Sequence, residues 1–149
     1  MAAAVRLAAL DDLDALTSYN MAMAHETEGL TLQQGILRKG IEALLTDRSK
    51  GQYFVVEAEG QVVAQLMITY EWSDWRNSRI WWIQSVYVHP DHRRKGLFKL
   101  LYDYVKELSL EERAAGLRLY ADASNHRAQS TYKAMGMTTH YNVFEDMTE

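Results

Sequence analysis

The residues best placed to do chemistry stand between two segments of different pattern. His92-Arg93-Arg94-Lys95-Gly96 is the densest basic cluster in a chain whose formal net charge is -4. Ahead of it, Ile80-Trp81-Trp82-Ile83-Gln84-Ser85-Val86-Tyr87-Val88 is apolar and aromatic, of strand-like composition, and Pro90 closes it. Behind it, Leu97, Leu100, Leu101, Tyr104, Val105 and Leu108 step by three and one, one face of an amphipathic helix. A cationic loop that opens a helix is suited to anion capture. The first helical turn leaves N–H groups unpaired, and the macrodipole adds partial positive charge there. Gly96 admits close approach to the backbone, and the flanking Arg and Lys supply charge-assisted donors. A phosphate or pyrophosphate is the natural guest. The nucleotide-triphosphate loop is excluded because Gly-x-x-x-x-Gly-Lys-Ser/Thr is absent, and the dinucleotide fingerprint because Gly96 lacks glycine partners at the required spacing.

The elements that must position this loop follow from pattern. Val5-Arg6-Leu7-Ala8 is a short opening strand. Asp11 or Asp12 caps a helix with Leu13, Leu16, Asn20 and Met23 near one face, which ends around His25-Glu26-Thr27-Glu28-Gly29. Thr31 and Gln34 form a capping box for a second helix, with Leu37, Ile41, Leu44 and Leu45 inward and Gly35 and Gly40 as weak points. Glu59-Gly60 turns a hairpin between Gln52–Glu57 and Val62–Tyr70. Four tryptophans, Trp72, Trp75, Trp81 and Trp82, gather around the next connection as core or subunit contact. The helix over Gly96–Glu112 supplies the crossover that a parallel strand at Leu117–Ala123 requires. Ser124 or Asn125 caps a last helix that Gly136 terminates, with Ala128, Tyr132 and Met135 on one face. Met137 to Glu145 reads as a final strand. The whole, residues 1–149, is one mixed α/β domain.

Composition narrows the function further. With 48% hydrophobic and 24% charged residues the chain has the make-up of a soluble globular protein. No cysteine is present, which excludes disulfides, Cys-ligated metals and a cysteine nucleophile and fits a reducing cytoplasm. The N-terminus lacks a secretory signal, and no apolar run approaches the ~20 residues of a membrane span. A cytoplasmic protein is expected, with no metal, no membrane and no nucleic acid among its partners; the acidic balance disfavours a nucleic-acid module.

Two spaced motifs resemble the GCN5-related N-acetyltransferase (GNAT) family. Arg93-Arg94-Lys95-Gly96-Leu97-Phe98, preceded by Val86-Tyr87-Val88-His89-Pro90, is similar to its coenzyme A motif. Phe98 replaces the usual small residue, as in bacterial members reading Gly-x-Phe-x-x-Leu-Tyr. Asn125-x-x-Ala128-x-x-x-Tyr132-x-x-x-Gly136-Met137 looks like the family's second signature, at the expected distance, and the order of elements matches across nearly the whole chain.

The resemblance implies a mixed, mostly antiparallel central sheet with a splayed parallel strand pair and flanking helices. It implies an acetyl-CoA-dependent N-acetyltransferase that moves acetyl to a primary amine by direct transfer, since an acyl-cysteine is unavailable. The backbone of Val86 and Val88 would pair with the pantetheine arm. The stretch Arg93, Arg94, Lys95, Gly96, Leu97, Phe98 and Lys99 would hold the pyrophosphate, Asn125 would bond the pantetheine region, and Tyr132 would be general acid for the departing thiolate. The family's usual strand glutamate is missing, and Gln84 cannot accept a proton at physiological pH. On the acceptor side, Glu26 or Glu28 is the expected acceptor-binding carboxylate, His25 the candidate base and Gln84 an orienting partner. A homodimer covering the edge left by a last strand, or burying tryptophans, is expected. The opposing reading is a non-catalytic acyl-CoA sensor or assembly module on the same fold.

Overall fold

In the computed structural model, which describes residues 2–148, an antiparallel meander organises a first unit that ends at Arg118. β1 (Ala3–Leu7) leads through a 3-10 turn into α1 (Leu13–Glu28) and α2 (Gln34–Leu45). β2 (Gln52–Ala58), β3 (Gln61–Ser73) and β4 (Ser78–Val88) then run back and forth, α3 (Leu97–Glu111) crosses over, and β5 (Gly116–Arg118) completes the sheet in the order β1-β2-β3-β4-β5. Every neighbouring pair is antiparallel except β4–β5, the pair joined by the α3 crossover. A second unit, from Leu119 on, holds α4 (His126–Ala134). The expected mixed sheet with one parallel pair is the sheet observed.

Local chemistry explains the turns. Glu59 and Gly60 both take positive φ, 52° and 76°, the pairing of a two-residue hairpin turn whose twist matches its strands. Gly51, entering β2, has φ 151°, and a Cβ there would stand 2.3 Å from the Ile68 carbonyl oxygen, so no other residue fits. Strand alternation sends neighbours of β2 to opposite faces. Tyr53 and Val55 join Leu13, Leu16, Ile41 and Leu44 beneath α1 and α2. Between them in sequence, Phe54 meets the ring of Tyr104 on α3 at 5.6 Å, and Leu101 and Val105 of α3 are fully buried.

Several boundaries differ from the sequence expectation. His25, Glu26 and Glu28 belong to the last turns of α1 rather than to a loop, because Gly29, at φ 63°, caps the helix after them. Gln33, not Thr31, caps α2, its Oε1 accepting from the Ile36 N–H at 2.6 Å. The strand expected over Leu117–Ala123 is short and lies at Gly116–Arg118. Residues 137–148 hold no helix or strand, so the final strand and the edge it would leave are absent there. Trp81 is core, whereas Trp72 and Trp75 are 61% and 89% exposed.

Asp12 does not cap α1 through its side chain, because stronger donors claim it. Its carboxylate accepts from Arg6 Nη1 and Nη2 at 2.8 and 2.9 Å and from the Ala9 N–H at 2.8 Å, while Arg6 Nε reaches Glu57 at 3.0 Å. The Arg6 hydrogen bonds hold the Asp12 carboxyl below the usual carboxylate range, against the opposing effect of burial. A depressed carboxyl stabilises the fold above its unfolded pKa of about 3.9, and that stabilisation is lost as pH falls through the lower folded-state value. Arg6 is partly exposed, so Asp12→Asn should cost about 1–2 kcal/mol at neutral pH. Urea unfolding at neutral pH and in acid should show the gap between wild type and variant closing in acid.

Candidate functional site

β4 is regular where it faces β3 until the register slips. Gln65 lies opposite Tyr87 and Met67 opposite Gln84, so Ser85 and Val86 together face the single residue Leu66. Such a bulge bends a strand and re-aims its groups. Ser85 takes φ 52°, uncommon for a residue with a Cβ. Gln65, fully buried on β3, holds the distortion by donating from Nε2 to the Ser85 carbonyl at 2.9 Å. On the other side of β4 the parallel ladder with β5 covers Ile80 to Trp82 only. Ile83 to Val88 therefore run on with no strand paired to that edge among the described residues, and an extended ligand can add there by main-chain hydrogen bonds. Val86 and Val88 fall in this stretch.

After β4 the chain tightens around Pro90–His92, with His89 Nδ1 accepting from the Asp91 N–H at 3.1 Å. Arg94 at φ 63° and Gly96 at φ 76° then turn the backbone into α3. Leu100 N–H donates to the Gly96 carbonyl at 3.0 Å, the first bond of the helix, so the N–H groups of the turn from Leu97 to Lys99 point out of its start. Leu97 is buried and anchors the turn, while Arg93, Arg94, Lys95, Gly96 and Lys99 are exposed around it. Phe98 is half-buried, its ring 6.1 Å from that of Tyr102. This is a cationic, amide-rich cradle.

The structure joins two residues expected on different sides of the site. Arg93 Nη2 pairs with Glu26 Oε2 at 3.0 Å, its Nε donates to the Val88 carbonyl at 3.0 Å, and its guanidinium lies 5.3 Å from the Tyr87 ring centre. Burial first, and the Glu26 carboxylate next, push the Tyr87 phenol up. His25 and Glu28 are exposed on the same helix end. Gln84 donates from Nε2 to Thr69 Oγ1 at 2.6 Å.

A cleft of about 220 Å³ opens between α1, α2 and the sheet, with Ser85 of the bulge in its lining. Asn20 and Tyr53 line it too; Asn20 Nδ2 donates to the Tyr53 hydroxyl at 3.0 Å and to the Leu16 carbonyl at 2.8 Å. Burial pushes the Tyr53 phenol up, with hydrogen bonds from Ser85 and Asn20 pulling the other way. Sequence reasoning placed Asn20 on an inward helix face without a role; a polar residue among Leu13 and Leu16 was the available signal. Further along the sheet, Glu71 accepts from Trp82 Nε1 at 2.7 Å and from Arg118 at 3.2 Å. Glu71 stands four residues from Met67, about 13 Å along the strand, and so does not reach the bulge.

In the second unit, Asn125 caps α4, its Oδ1 accepting from the Ala128 N–H at 3.1 Å. Tyr132 is half-buried on that helix, and burial raises its phenol pKa, which keeps the hydroxyl protonated. Gly136 at φ 93° ends the helix, where the Met137 N–H donates to the Tyr132 carbonyl at 3.1 Å. Among the described residues no group of three His, Asp or Glu is gathered as a metal site, and no helix is long and apolar enough to cross a membrane.

Comparison with known proteins converges on one family. Residues 14–137 match the model of the Acetyltransferase (GNAT) family. A thialysine N-epsilon-acetyltransferase of Bos taurus is 30% identical over 59% of this chain, a match that spans only 47% of the bovine protein. A provisionally named ribosomal protein bS18-alanine N-acetyltransferase of Bacillus subtilis (strain 168) is 27% identical over 91% of this chain and 80% of its own length. The crystal structure of a possible acetyltransferase from Clostridium difficile 630 superposes with TM-score 0.92 at 44% identity, covering 100% of this chain and 99% of that one.

The bulge depends on Gln65. Gln65→Leu removes the donor to the Ser85 carbonyl, which is half-buried, and should cost about 1 kcal/mol in thermal or urea unfolding. Hydrogen exchange of the Ser85, Val86 and Tyr87 amides should quicken more than that of Trp81.

Proposed function

This chain belongs to the GNAT acetyltransferase family, and on that premise we propose that it is an N-acetyltransferase, passing acetyl from acetyl-CoA directly to a primary amine in a ternary complex. The observation that carries the reading is one continuous segment: the unpaired edge of β4 at Val86 and Val88 running into the amide-rich, cationic start of α3. The residues fit an extended arm ending in a pyrophosphate. Val86 and Val88 offer main-chain groups to the arm, and the amides of Leu97, Phe98 and Lys99 with the Arg94 and Lys95 side chains suit the phosphates. Acetyl-CoA supplies an acyl carbon activated by a thiolate leaving group.

The chain's own groups must orient the amine, polarise the carbonyl and move two protons. A main-chain N–H of the bulged strand acts as oxyanion donor. As the nitrogen–carbon bond forms and the carbon–sulfur bond breaks, Tyr132 gives its proton to sulfur, and Asn125 orients the arm. The chain has no cysteine, so no acyl-cysteine step intervenes. Gln84 does not accept a proton, and Glu26 is already paired with Arg93, so His25 and Glu28 on the same helix end are the groups left on the acceptor side, with a water relay as the alternative. The bovine and Bacillus relatives are both named for amine acceptors, one a side-chain amine and one an alanine, which supports amine transfer without choosing the acceptor. We also propose a homodimer that covers Trp72 and Trp75; a monomer by light scattering at high micromolar concentration would contradict it.

Replacing Tyr132 by Phe keeps the ring and removes the proton. Thiol-release kinetics should show kcat down by ~10²-fold with acetyl-CoA affinity held. Arg93→Ala/Arg94→Ala should instead weaken acetyl-CoA binding about tenfold or more. Acetyl-CoA binding without turnover of any amine would mark an acyl-CoA sensor.

A further inference from the structure

A glycine in the middle of a helix costs roughly 0.5–1 kcal/mol relative to alanine, so its presence asks for a reason. Gly40 sits inside α2 with no left-handed φ, and a Cβ built on it meets nothing within 4 Å. Neither backbone strain nor close packing requires it. What its missing side chain does leave is space, because Gly40 lines the cleft between α1, α2 and the sheet. Leu37, Ile41 and Leu44 of α2 and Met67 of β3 make the rest of that cleft apolar. No ionisable carboxylate or cation lines it.

The polar lining is concentrated on Asn20, Tyr53 and Ser85. Both amide hydrogens of Asn20 are committed, to the Leu16 carbonyl and the Tyr53 hydroxyl, while no donor among the described residues reaches its Oδ1. That oxygen suits the N–H of an incoming amine. Ser85 is the bulged residue itself, next in sequence to Val86 and its unpaired strand edge, so the polar lining lies beside the reactive strand. A volume of about 220 Å³ is below that of pockets for drug-sized ligands and fits one side-chain-sized group. A second ammonium buried among Leu37, Ile41, Leu44 and Met67 would lose its hydration with no counter-charge. Glu26, toward the C-terminal end of α1, is already paired with Arg93.

We propose that this cleft is the acceptor pocket and that the acceptor is a monoamine carried on a compact apolar body, not a polyamine or an aminoglycoside. The proposal rests on the transferase reading above. The apolar body enters between Gly40, Ile41 and Met67, and the amine stays at Asn20 and Ser85.

Gly40 is exposed at the rim of the cleft, so Gly40→Leu tests the proposal without endangering the fold, placing an apolar side chain at the entrance while improving helix propensity. Calorimetry with CoA-saturated protein should detect 3-methylbutylamine and give no signal for putrescine or spermidine at equal concentration. Gly40→Leu should weaken 3-methylbutylamine binding about tenfold or more, the scale of a methylene-sized change in an apolar pocket, with CoA affinity and melting temperature maintained. In thiol-release assays the same variant should raise KM for 3-methylbutylamine more than it lowers kcat. Binding that Gly40→Leu abolishes, without turnover of any amine, would sustain the pocket and overturn the transferase reading. Undetectable binding of 3-methylbutylamine, equal binding of the polyamines, or amine turnover indifferent to Gly40→Leu would overturn the pocket.

Discussion

The hydrogen bond from the Gln65 amide to the Ser85 carbonyl fixes the one irregular place in β4, and the rest of the site is arranged about it. A strand paired on both sides has no main-chain groups to offer. β4 escapes that state because β5 stays beside it for only three residues and because the bulge turns the backbone before Val86. Gln65 holds the bulge from a fully buried position, where its amide has few competing partners, although Ser85 itself is half-buried. Ser85 itself lines the cleft, the open edge runs on from it, and the cationic loop follows at the end of the same strand.

Charge at the loop is partly balanced internally before any ligand is considered. Arg93 is held by Glu26 and the Val88 carbonyl, whereas Arg94 and Lys95 extend from a backbone that Arg94 and Gly96 bend through positive φ. The last turn of α1 is thus tied to the loop that opens α3. A group entering beside Val88 competes with Arg93 for that carbonyl, so the ion pair and the strand edge are coupled through one side chain.

Periodic features were legible in the sequence because one element suffices to read them. The buried face of α2, the Glu59-Gly60 turn, the Asn125 cap and the basic loop came from spacing and residue type, and so did Leu97, Leu101 and Val105 of α3, although Leu100 and Tyr104 of the expected face are exposed and Tyr102 is buried in their place. Features that need a partner were not legible. Asp12 has a cap's chemistry, yet Arg6 and Ala9 take its oxygens. Residues 137–145 have strand-like composition, but a strand exists only when another pairs with it, and composition does not show that. The cleft was harder still, since Asn20, Gly40, Tyr53 and Ser85 meet from four elements and Gly40 contributes by lacking a side chain.

The chain's topology also sets an order of assembly. β2, β3 and β4 pair with sequence neighbours, and the first of their turns closes with two residues. Among the described residues β1 pairs only with β2, and its Arg6 reaches a partner 51 positions away, across both α1 and α2. Closing that large loop carries the greater entropic cost and is repaid only once β2 is in place, so the meander forms early and the N-terminal strand docks late. During synthesis the first 45 residues emerge before the strand that will receive them. The walls contributed by α1 and α2 therefore wait for the sheet they pack on, and the cleft takes shape only after the meander beneath it is in place.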